Sequence, residues 1–263
     1  MMKDDISDVW KIPKYRRWVL FLVVLLCLLF YFFLGDAFRK FYYQGFYGKQ
    51  ASVESYADYM NEPAQENLEK ARAYNMSKDN MELNMKALAS YKFYGMIADK
   101  AIHGKDTEET KPKEGETKNY ITQIAPFDFL LTWGPFAKKD FLERYDFKIA
   151  KGKAGPQKDI PDSDEVLKEA GRLNPQKPRR YFSENFIIPA SDKIYRVLEA
   201  VRPYNNIYIE GYLVSFEGKE TDKKSGKETS FAHASSLTRN DEGPDAAEVI
   251  YVYKVILDGY EYK

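Results

Sequence analysis

Cysteine and histidine are nearly absent from this chain of 263 residues. The only cysteine, Cys27, stands inside an apolar run, so the rest of the chain offers neither a disulfide nor thiol chemistry. The two histidines, His103 and His233, leave too little material for a histidine-based metal site or a Ser-His-Asp triad. The sequence therefore predicts no cofactor, no metal site and no catalytic residue, and it favours a protein that is not an enzyme.

An excess of charge of either sign is also missing. Residues 1–37 hold five of the 40 basic and four of the 40 acidic residues, which leaves 35 basic and 36 acidic residues in the rest of the chain. A protein that binds nucleic acid normally carries a basic excess, because phosphate neutralisation supplies much of its affinity. We therefore predict no nucleic-acid partner.

One long apolar run is present near the N-terminus. Residues 18–34, WVLFLVVLLCLLFYFFL, carry no charge. A helix needs roughly 17–25 apolar residues to cross a bilayer, and a soluble helix would show a polar face. We therefore predict a transmembrane anchor over residues 18–35. A cleavable signal peptide is the alternative, and the small residues Gly35 and Ala37 leave it open.

Basic residues around this run predict its orientation. Five precede it (Lys3, Lys11, Lys14, Arg16 and Arg17) and three follow it closely (Arg39, Lys40 and Lys49). Basic flanks favour the cytoplasmic side. The prediction is a single-pass protein of the bacterial inner membrane with its C-terminal domain outside the cytoplasm. Its expected partners are the lipid bilayer and other membrane or envelope proteins.

This orientation predicts a protease result. Protease added outside the inner membrane is expected to digest the C-terminal body and leave a short anchored stub, because only the N-terminal tail would be shielded. Immunoblotting of a C-terminal tag measures the digestion, with permeabilised membranes as the control. A tag that stays protected until permeabilisation would reverse the predicted orientation.

Composition divides the chain into six segments. Pro63 in a first turn, followed by Ala64, Leu68, Ala71 and Tyr74 at helical spacing, predicts a helix over 63–76. Alternation over 91–98 favours a strand, with a continued helix as the alternative. The segments are a cytoplasmic tail (1–17), the anchor (18–35), a membrane-proximal aromatic segment (36–62), a helix and strand (63–103), a disordered loop (104–118) and an α+β domain (119–263).

The C-terminal part reads mainly as strands. Strands are predicted over 181–190, 207–216, 230–237 and 248–257, with a charged hairpin loop over 217–228. Short helices are predicted over 138–145, after Ser163 and over 192–201, where Ser191 is the N-cap. Gly211 indicates a bulge or a barrel corner. The predicted fold class is α+β: one N-terminal transmembrane helix, then a mixed, mostly antiparallel β body with flanking helices, for which an OB-like barrel is a candidate.

Several short motifs resemble a known family. Residues 128–136 read DFLLTWGPF, residues 187–190 IIPA, residues 211–214 GYLV and residues 235–239 SSLTR. This set, over residues 120–257, resembles an uncharacterised bacterial family of envelope-anchored proteins. Phe186 stands where that family often has histidine. The resemblance implies location and fold and carries no function. The C-terminal part is also similar to a small OB-like barrel, which implies no activity.

The convergent polar set of the sequence spans the end of the predicted strand at 230–237 and the turn after it. It consists of Ser235 and the candidate binding residues Ser236, Thr238, Arg239, Asp241 and Glu242. A guanidinium beside carboxylates on one turn is suited to an anionic or peptide ligand. The alternative is that Arg239 and Asp241 pair locally and only fix the turn.

Asp128 and Trp133 complete the candidate binding residues. Asp128 stands among apolar residues between Phe127 and Leu131, where burial raises a carboxyl pKa and makes a catalytic acid conceivable. The alternative, which we favour, is that Asp128 caps a helix beginning after Pro126.

Three functions are weighed on this basis. The leading hypothesis is a non-enzymatic, membrane-anchored envelope protein that binds or scaffolds a protein partner. One alternative is a metal-dependent hydrolase, similar to a nuclease-like OB domain, using Asp128, Arg239, Asp241 and Glu242. The other is a module that binds a small molecule or lipid in its Tyr- and Phe-rich body.

Overall fold

The computed structural model describes residues 21–23, 25–26, 49–51, 63–78, 81–103, 120–150, 153–222, 225–235, 237 and 248–263. The chain forms two compact units, Met1–Gly48 and Lys49–Lys263. In the first unit, residues 21–23 and 25–26 are helical. The second unit contains the sheets and the other described helices.

Strands predominate in the second unit. The strands are β1 (Lys49–Gln50), β2 (Ala64–Lys78), β3 (Met81–Ile102), β4 (Phe127–Thr132), β5 (Phe147–Ala150), β6 (Lys153–Pro156), β7 (Phe182–Pro189), β8 (Asn206–Thr221), β9 (Glu228–Ala234), β10 (Glu248–Leu257) and β11 (Tyr260–Tyr262). The helices are α1 (Tyr120–Ile124), α2 (Lys139–Arg144), α3 (Glu165–Leu173) and α4 (Asp192–Ala200), with a 3₁₀ turn at Gly134–Phe136.

Five strands close into a barrel. Their order around the ring is β3, β4, β7, β10 and β8, and β8 pairs again with β3. Every pair is antiparallel except β7 with β10. Alternate residues of a strand point to opposite faces, and the inward row is apolar. It includes the fully buried Phe93, Phe127, Ile187, Ile209 and Ile250.

Strands β3 and β8 continue beyond the barrel. There β2 pairs with β3 and β9 pairs with β8, which gives a four-stranded extension in the order β2, β3, β8, β9. One face of this extension is apolar and forms a second core. That core contains Leu83, Met85, Val214 and Phe216 from the extension, with Ile124, Ile188 and Val249 packed against them.

Helix α4 packs against β7, β10 and β11. Ser191 begins it as predicted, because its Oγ accepts a hydrogen bond from the Ile194 amide at 3.3 Å. The Lys100 ammonium donates to the carbonyl oxygens of Leu198, Glu199 and Val201 at 2.7–3.0 Å. Carbonyl groups at a helix end lack partners within the helix, so Lys100 fixes the end of α4 to strand β3.

The predicted fold class, α+β with an N-terminal transmembrane helix, is wrong. The described helices of the second unit run from three to nine residues, whereas β3 alone has 22 residues. Among the described residues, no helix has both the length and the apolar character needed to cross a membrane. Most of the predicted anchor at 18–35 lies outside the described residues, as does most of the tail and of the aromatic segment.

The helix predicted over 63–76 is also wrong, because Ala64–Lys78 is strand β2. Its ladder with β3 overrides a local spacing that favours a helix. The charged loop predicted over 217–228 is wrong in part, since β8 continues to Thr221. The loop predicted at 104–118 lies outside the described residues.

Other elements are confirmed. The short helix predicted over 138–145 is α2, and the helix expected after Ser163 is α3. The strands predicted near 91–98 and over 181–190, 207–216, 230–237 and 248–257 correspond to β3, β7, β8, β9 and β10, although β9 ends at Ala234. The N-cap of α3 is Asp164, whose Oδ1 accepts from the Val166 amide at 2.8 Å.

Candidate functional site

The polar set after β9 is mostly outside the described residues. Five of its members lie outside the described residues, so their binding role stays a prediction: Ser236, Thr238, Arg239, Asp241 and Glu242. Ser235 is described and is only 4% exposed. Its hydroxyl donates to the Val249 carbonyl at 3.1 Å and accepts from the Val249 amide at 2.8 Å. Ser235 therefore ties the end of β9 to the start of β10.

Asp128 is the second residue of strand β4, so the preferred interpretation of it as a helix cap is wrong. It is 2% exposed, and Oδ1 is buried without a hydrogen-bond partner in the described structure. The register of β4 with β7 and β3 puts Asp128, Glu184 and Asp99 on the same face of the sheet, one row apart. The barrel wall thus brings together three carboxyl groups from three strands.

This carboxyl group is expected to be neutral at physiological pH. Burial raises the pKa of Asp128 to about 9, and a hydrogen bond with Glu184 and repulsion from Glu184 and Asp99 act in the same direction. Asp99 has a hydrogen-bond partner of its own, because the Ile149 amide of β5 donates to its Oδ2 at 2.8 Å. We therefore expect Asp128 to be a protonated carboxyl group in the barrel wall.

The cluster of Asp128, Glu184 and Asp99 is poorly placed to bind a ligand or to react with one. Asp128 has almost no exposed surface. Within the described ranges, no group of three or more His, Cys, Asp or Glu side chains is arranged to hold a metal ion. The sequence singled out Asp128 from its apolar neighbours, but it gave no sign of Glu184, because only the β4–β7 register brings the two together.

Trp133 is a core residue. It is 6% exposed and packs edge-on against Phe93, with ring centroids 6.2 Å apart. Its amide donates to the Tyr181 carbonyl at 3.1 Å, which joins the end of β4 to the residue before β7. Trp133 therefore offers almost no surface to a ligand.

A cluster of tyrosines forms a more accessible feature. It consists of Arg72, Tyr74, Tyr212, Tyr251 and Tyr253, which we call the tyrosine surface. Arg72 is exposed and the four tyrosines are half-buried. They come from β2, β8 and β10; β8 pairs with β10, and β3 lies between β8 and β2.

Hydrogen bonds and ring contacts hold these side chains together. The Arg72 guanidinium donates to the Tyr212 hydroxyl at 2.7 Å and lies over the same ring, 5.4 Å from its centroid. Tyr212 and Tyr253 have ring centroids 5.1 Å apart, and Tyr74 and Tyr251 have centroids 4.9 Å apart. The surface is thus ordered before any partner binds.

Glu210 fixes one side of the tyrosine surface. Its carboxylate accepts from the Tyr253 hydroxyl at 3.0 Å and pairs with the Lys254 ammonium at 3.1 Å. Burial disfavours the charge of Glu210, but the bonds from Lys254 and Tyr253 lower its pKa overall. Burial, with the nearby Glu210 carboxylate, raises the pKa of Tyr253. Tyr253 is therefore a neutral hydroxyl that donates a hydrogen bond to Glu210.

The sequence did not reveal this surface. Tyr251 and Tyr253 alternate along a predicted strand, and that pattern was the available signal. The helix predicted over 63–76 contains Arg72 and Tyr74, so the sequence gives no reason to expect their side chains near β8 and β10. The β2–β3 register, which shifts between Asn67 and Arg72, pairs Arg72 with Ala87.

No family model, no curated protein and no solved structure matches this chain. The family resemblance carried by the Trp-Gly, IIPA, GYLV and SSLTR motifs therefore stays a prediction.

Proposed function

We propose that this chain is a non-enzymatic protein of the bacterial envelope whose β domain binds a protein partner through the tyrosine surface. The observation that carries the proposal is the pre-ordered cluster of one exposed arginine and four half-buried tyrosines. Tyr and Arg are enriched in protein interfaces and dominate their binding energy.

The chemistry of the surface fits a protein ligand. The tyrosine rings supply flat apolar area, while their hydroxyls and the Arg72 guanidinium offer polar contacts. Because the rings already pack on one another, little side-chain entropy would be lost on binding. The balance of 35 basic and 36 acidic residues beyond residue 37 favours a protein over a nucleic acid.

The barrel supports a further part of this proposal, that the domain is of the OB type. Three features favour it: a closed ring of five strands, one parallel pair between β7 and β10, and helix α4 between β7 and β8. Domains of this architecture carry many unrelated activities, so the likeness supports no catalytic role. The hydrolase alternative has less support, since Asp128 is almost completely buried.

Arg72→Ala is expected to weaken partner capture at least about tenfold, because truncating an interface hot spot costs roughly 2 kcal/mol or more. The same change should lower the free energy of unfolding by only about 0.5–1.5 kcal/mol, the net value of one hydrogen bond. The measurement is the yield of a crosslinked, affinity-purified complex from native membranes, together with thermal unfolding of the variant.

The matched control is Arg196→Ala, which removes an exposed arginine from α4. This control should leave capture unchanged. Equal capture by normally folded Arg72→Ala and Arg196→Ala proteins would remove the tyrosine surface as the binding site. A Tyr212→Phe variant separates the hydroxyl from the ring, and it should lose less than Arg72→Ala because the ring stays.

A further inference from the structure

Strand β9 is an edge of the sheet. It pairs with β8 over seven consecutive residue pairs, from Ser215–Ala234 to Thr221–Glu228, without a register shift. On its other side, the described part of the chain contains no paired strand. A regular edge of this kind presents main-chain N–H and C=O groups to whatever approaches it.

Two hydrogen bonds show which residues direct their main-chain groups outward. The Ser235 amide donates to the Val214 carbonyl at 3.2 Å, and the Asp222 amide donates to the Lys227 carbonyl at 2.9 Å. Along an antiparallel ladder, hydrogen-bonded residue pairs alternate with pairs that are not hydrogen-bonded. Both of these bonds belong to the same alternating set of pairs, which defines the phase of the ladder. In that phase Thr229, Phe231 and His233 bond to β8.

The intervening residues Ser230, Ala232 and Ala234 therefore point their N–H and C=O groups away from β8. All three are exposed. Their outward groups have no hydrogen-bond partner among the residues that the structure describes.

This edge lacks the features that usually prevent strand pairing. Natural edge strands are protected by lysines, prolines, bulges or short length. Strand β2, at the opposite edge of the extension, has a register irregularity between Asn67 and Arg72 and the charged Glu69 and Lys70 within it. In contrast, β9 has a regular ladder and a single charged residue, Glu228, at its start.

We propose that β9 accepts an extended strand of a partner polypeptide, which adds to the sheet beside it. Only an extended chain matches a row of alternating donors and acceptors at strand spacing. This edge shares no residue with the tyrosine surface, so either proposal can fail without the other.

The side chains of β9 indicate which strand would fit. On one face the Phe231 ring stacks on Tyr120, with centroids 4.1 Å apart and planes 8° apart. An incoming strand would extend this aromatic face with apolar residues. On the other face Ser230, Ala232 and Ala234 are small and exposed, so the incoming strand has room there for large or polar residues. The partner segment is therefore an amphipathic strand.

The test uses the full chain and a fluorescent peptide of the same length as β9 that alternates valine and threonine. The result expected is saturable binding, measured by fluorescence anisotropy. The same peptide with its amides N-methylated along both edges should bind about tenfold or more weakly, because it cannot donate hydrogen bonds to the β9 carbonyls in either strand direction. Equal binding of the two peptides, or no binding by either, would overturn the proposal.

A pair of variants tests whether the peptide binds at strand β9. Ala232→Pro removes one outward N–H, and proline is tolerated on an edge strand when that N–H faces solvent. It should bind the unmodified peptide about tenfold more weakly, whereas Ala232→Thr, which keeps the N–H, should bind it normally. If Ala232→Pro does not fold, the comparison of the two peptides on the natural chain decides. A dimer of the natural chain that Ala232→Pro converts to a monomer would show that a second copy occupies the edge, and would overturn the partner-strand proposal.

Discussion

Replacing Asp128 with asparagine is expected to stabilise the protein at and above neutral pH, by about 1–3 kcal/mol, while changing it little near pH 4. Asparagine has nearly the shape of the neutral carboxyl group, but it cannot ionise. Asp128 is 2% exposed, and burial raises its pKa to about 9 with added repulsion from Glu184 and Asp99. The wild-type protein must therefore hold a proton on this group or bury a charge.

The sign of the pH dependence follows from linkage. The folded-state pKa of Asp128, about 9, lies above its ordinary value of 3.8, so the folded protein binds the proton more tightly than the unfolded chain. The stability from this proton is fully present below about pH 4, and it is lost as the pH rises towards about 9. The variant lacks this decline, so its stability should exceed that of the wild type by a margin that grows with pH.

Chemical denaturation from pH 4 to 9 measures this effect. Asp159→Asn is the control, because Asp159 is exposed and the change alters the same charge. The control profile should run parallel to that of the wild type. A loss of stability in Asp128→Asn at pH 8 would show that the carboxylate is ionised and paired in the folded protein. Glu184→Gln removes one of the two acidic neighbours and should reduce the pH dependence only in part.

Gly95→Ala is expected to destabilise the protein by about 2–4 kcal/mol, because the added methyl group has no space. A Cβ at Gly95 would collide with the Thr132 carbonyl oxygen and come within 2.6 Å of the Phe93 ring. The collision occurs where β3 changes from its pairing with β2 to its pairing with β4. Backbone atoms of two hydrogen-bonded strands cannot separate without breaking their ladder.

The control for Gly95→Ala is the same substitution at Gly171 in helix α3. There the nearest atom to the new Cβ would be Cβ of Pro178 at 3.7 Å, an ordinary contact. Alanine is favoured over glycine inside a helix by up to about 1 kcal/mol, so this variant should be as stable as the wild type or more stable. Thermal unfolding of both variants measures the contrast. A Gly95→Ala protein with an unchanged midpoint would mean that β3 and β4 do not approach as closely as the structure shows.

The sequence carried enough information for elements with a strong local pattern. The run that ends at Pro189 located β7, a run that is apolar on both faces located β10, and Ser191 located the start of α4. The expected bulge or corner at Gly211 is also present, since a Cβ there would come within 2.5 Å of the Tyr251 carbonyl oxygen, and the β10 ladder shifts between Val252 and Lys254. For β7, β10 and the start of α4 the cause is local in the chain, so a single segment reveals it.

Features that depend on pairing between distant segments were not predictable in the same way. The sequence around Ala64 and Leu68 has helical spacing, yet its strand form is stabilised by the ladder to β3. The same holds for the candidate sites. Asp128 meets Glu184, and Arg72 meets Tyr212, only after the sheet has fixed the register of its strands. The local sequence pattern of one segment does not indicate that register.

The most direct test of the tyrosine surface is site-specific photo-crosslinking in living cells. A photoreactive phenylalanine analogue at Tyr212 samples the surface, and the same analogue at Leu173 samples α3, where the side chain is 61% exposed. The proposal predicts a discrete protein adduct from position 212 that disappears when Arg72→Ala is added, and none from position 173. The absence of an adduct at 212 in a folded protein, or an identical adduct at 173, would contradict it.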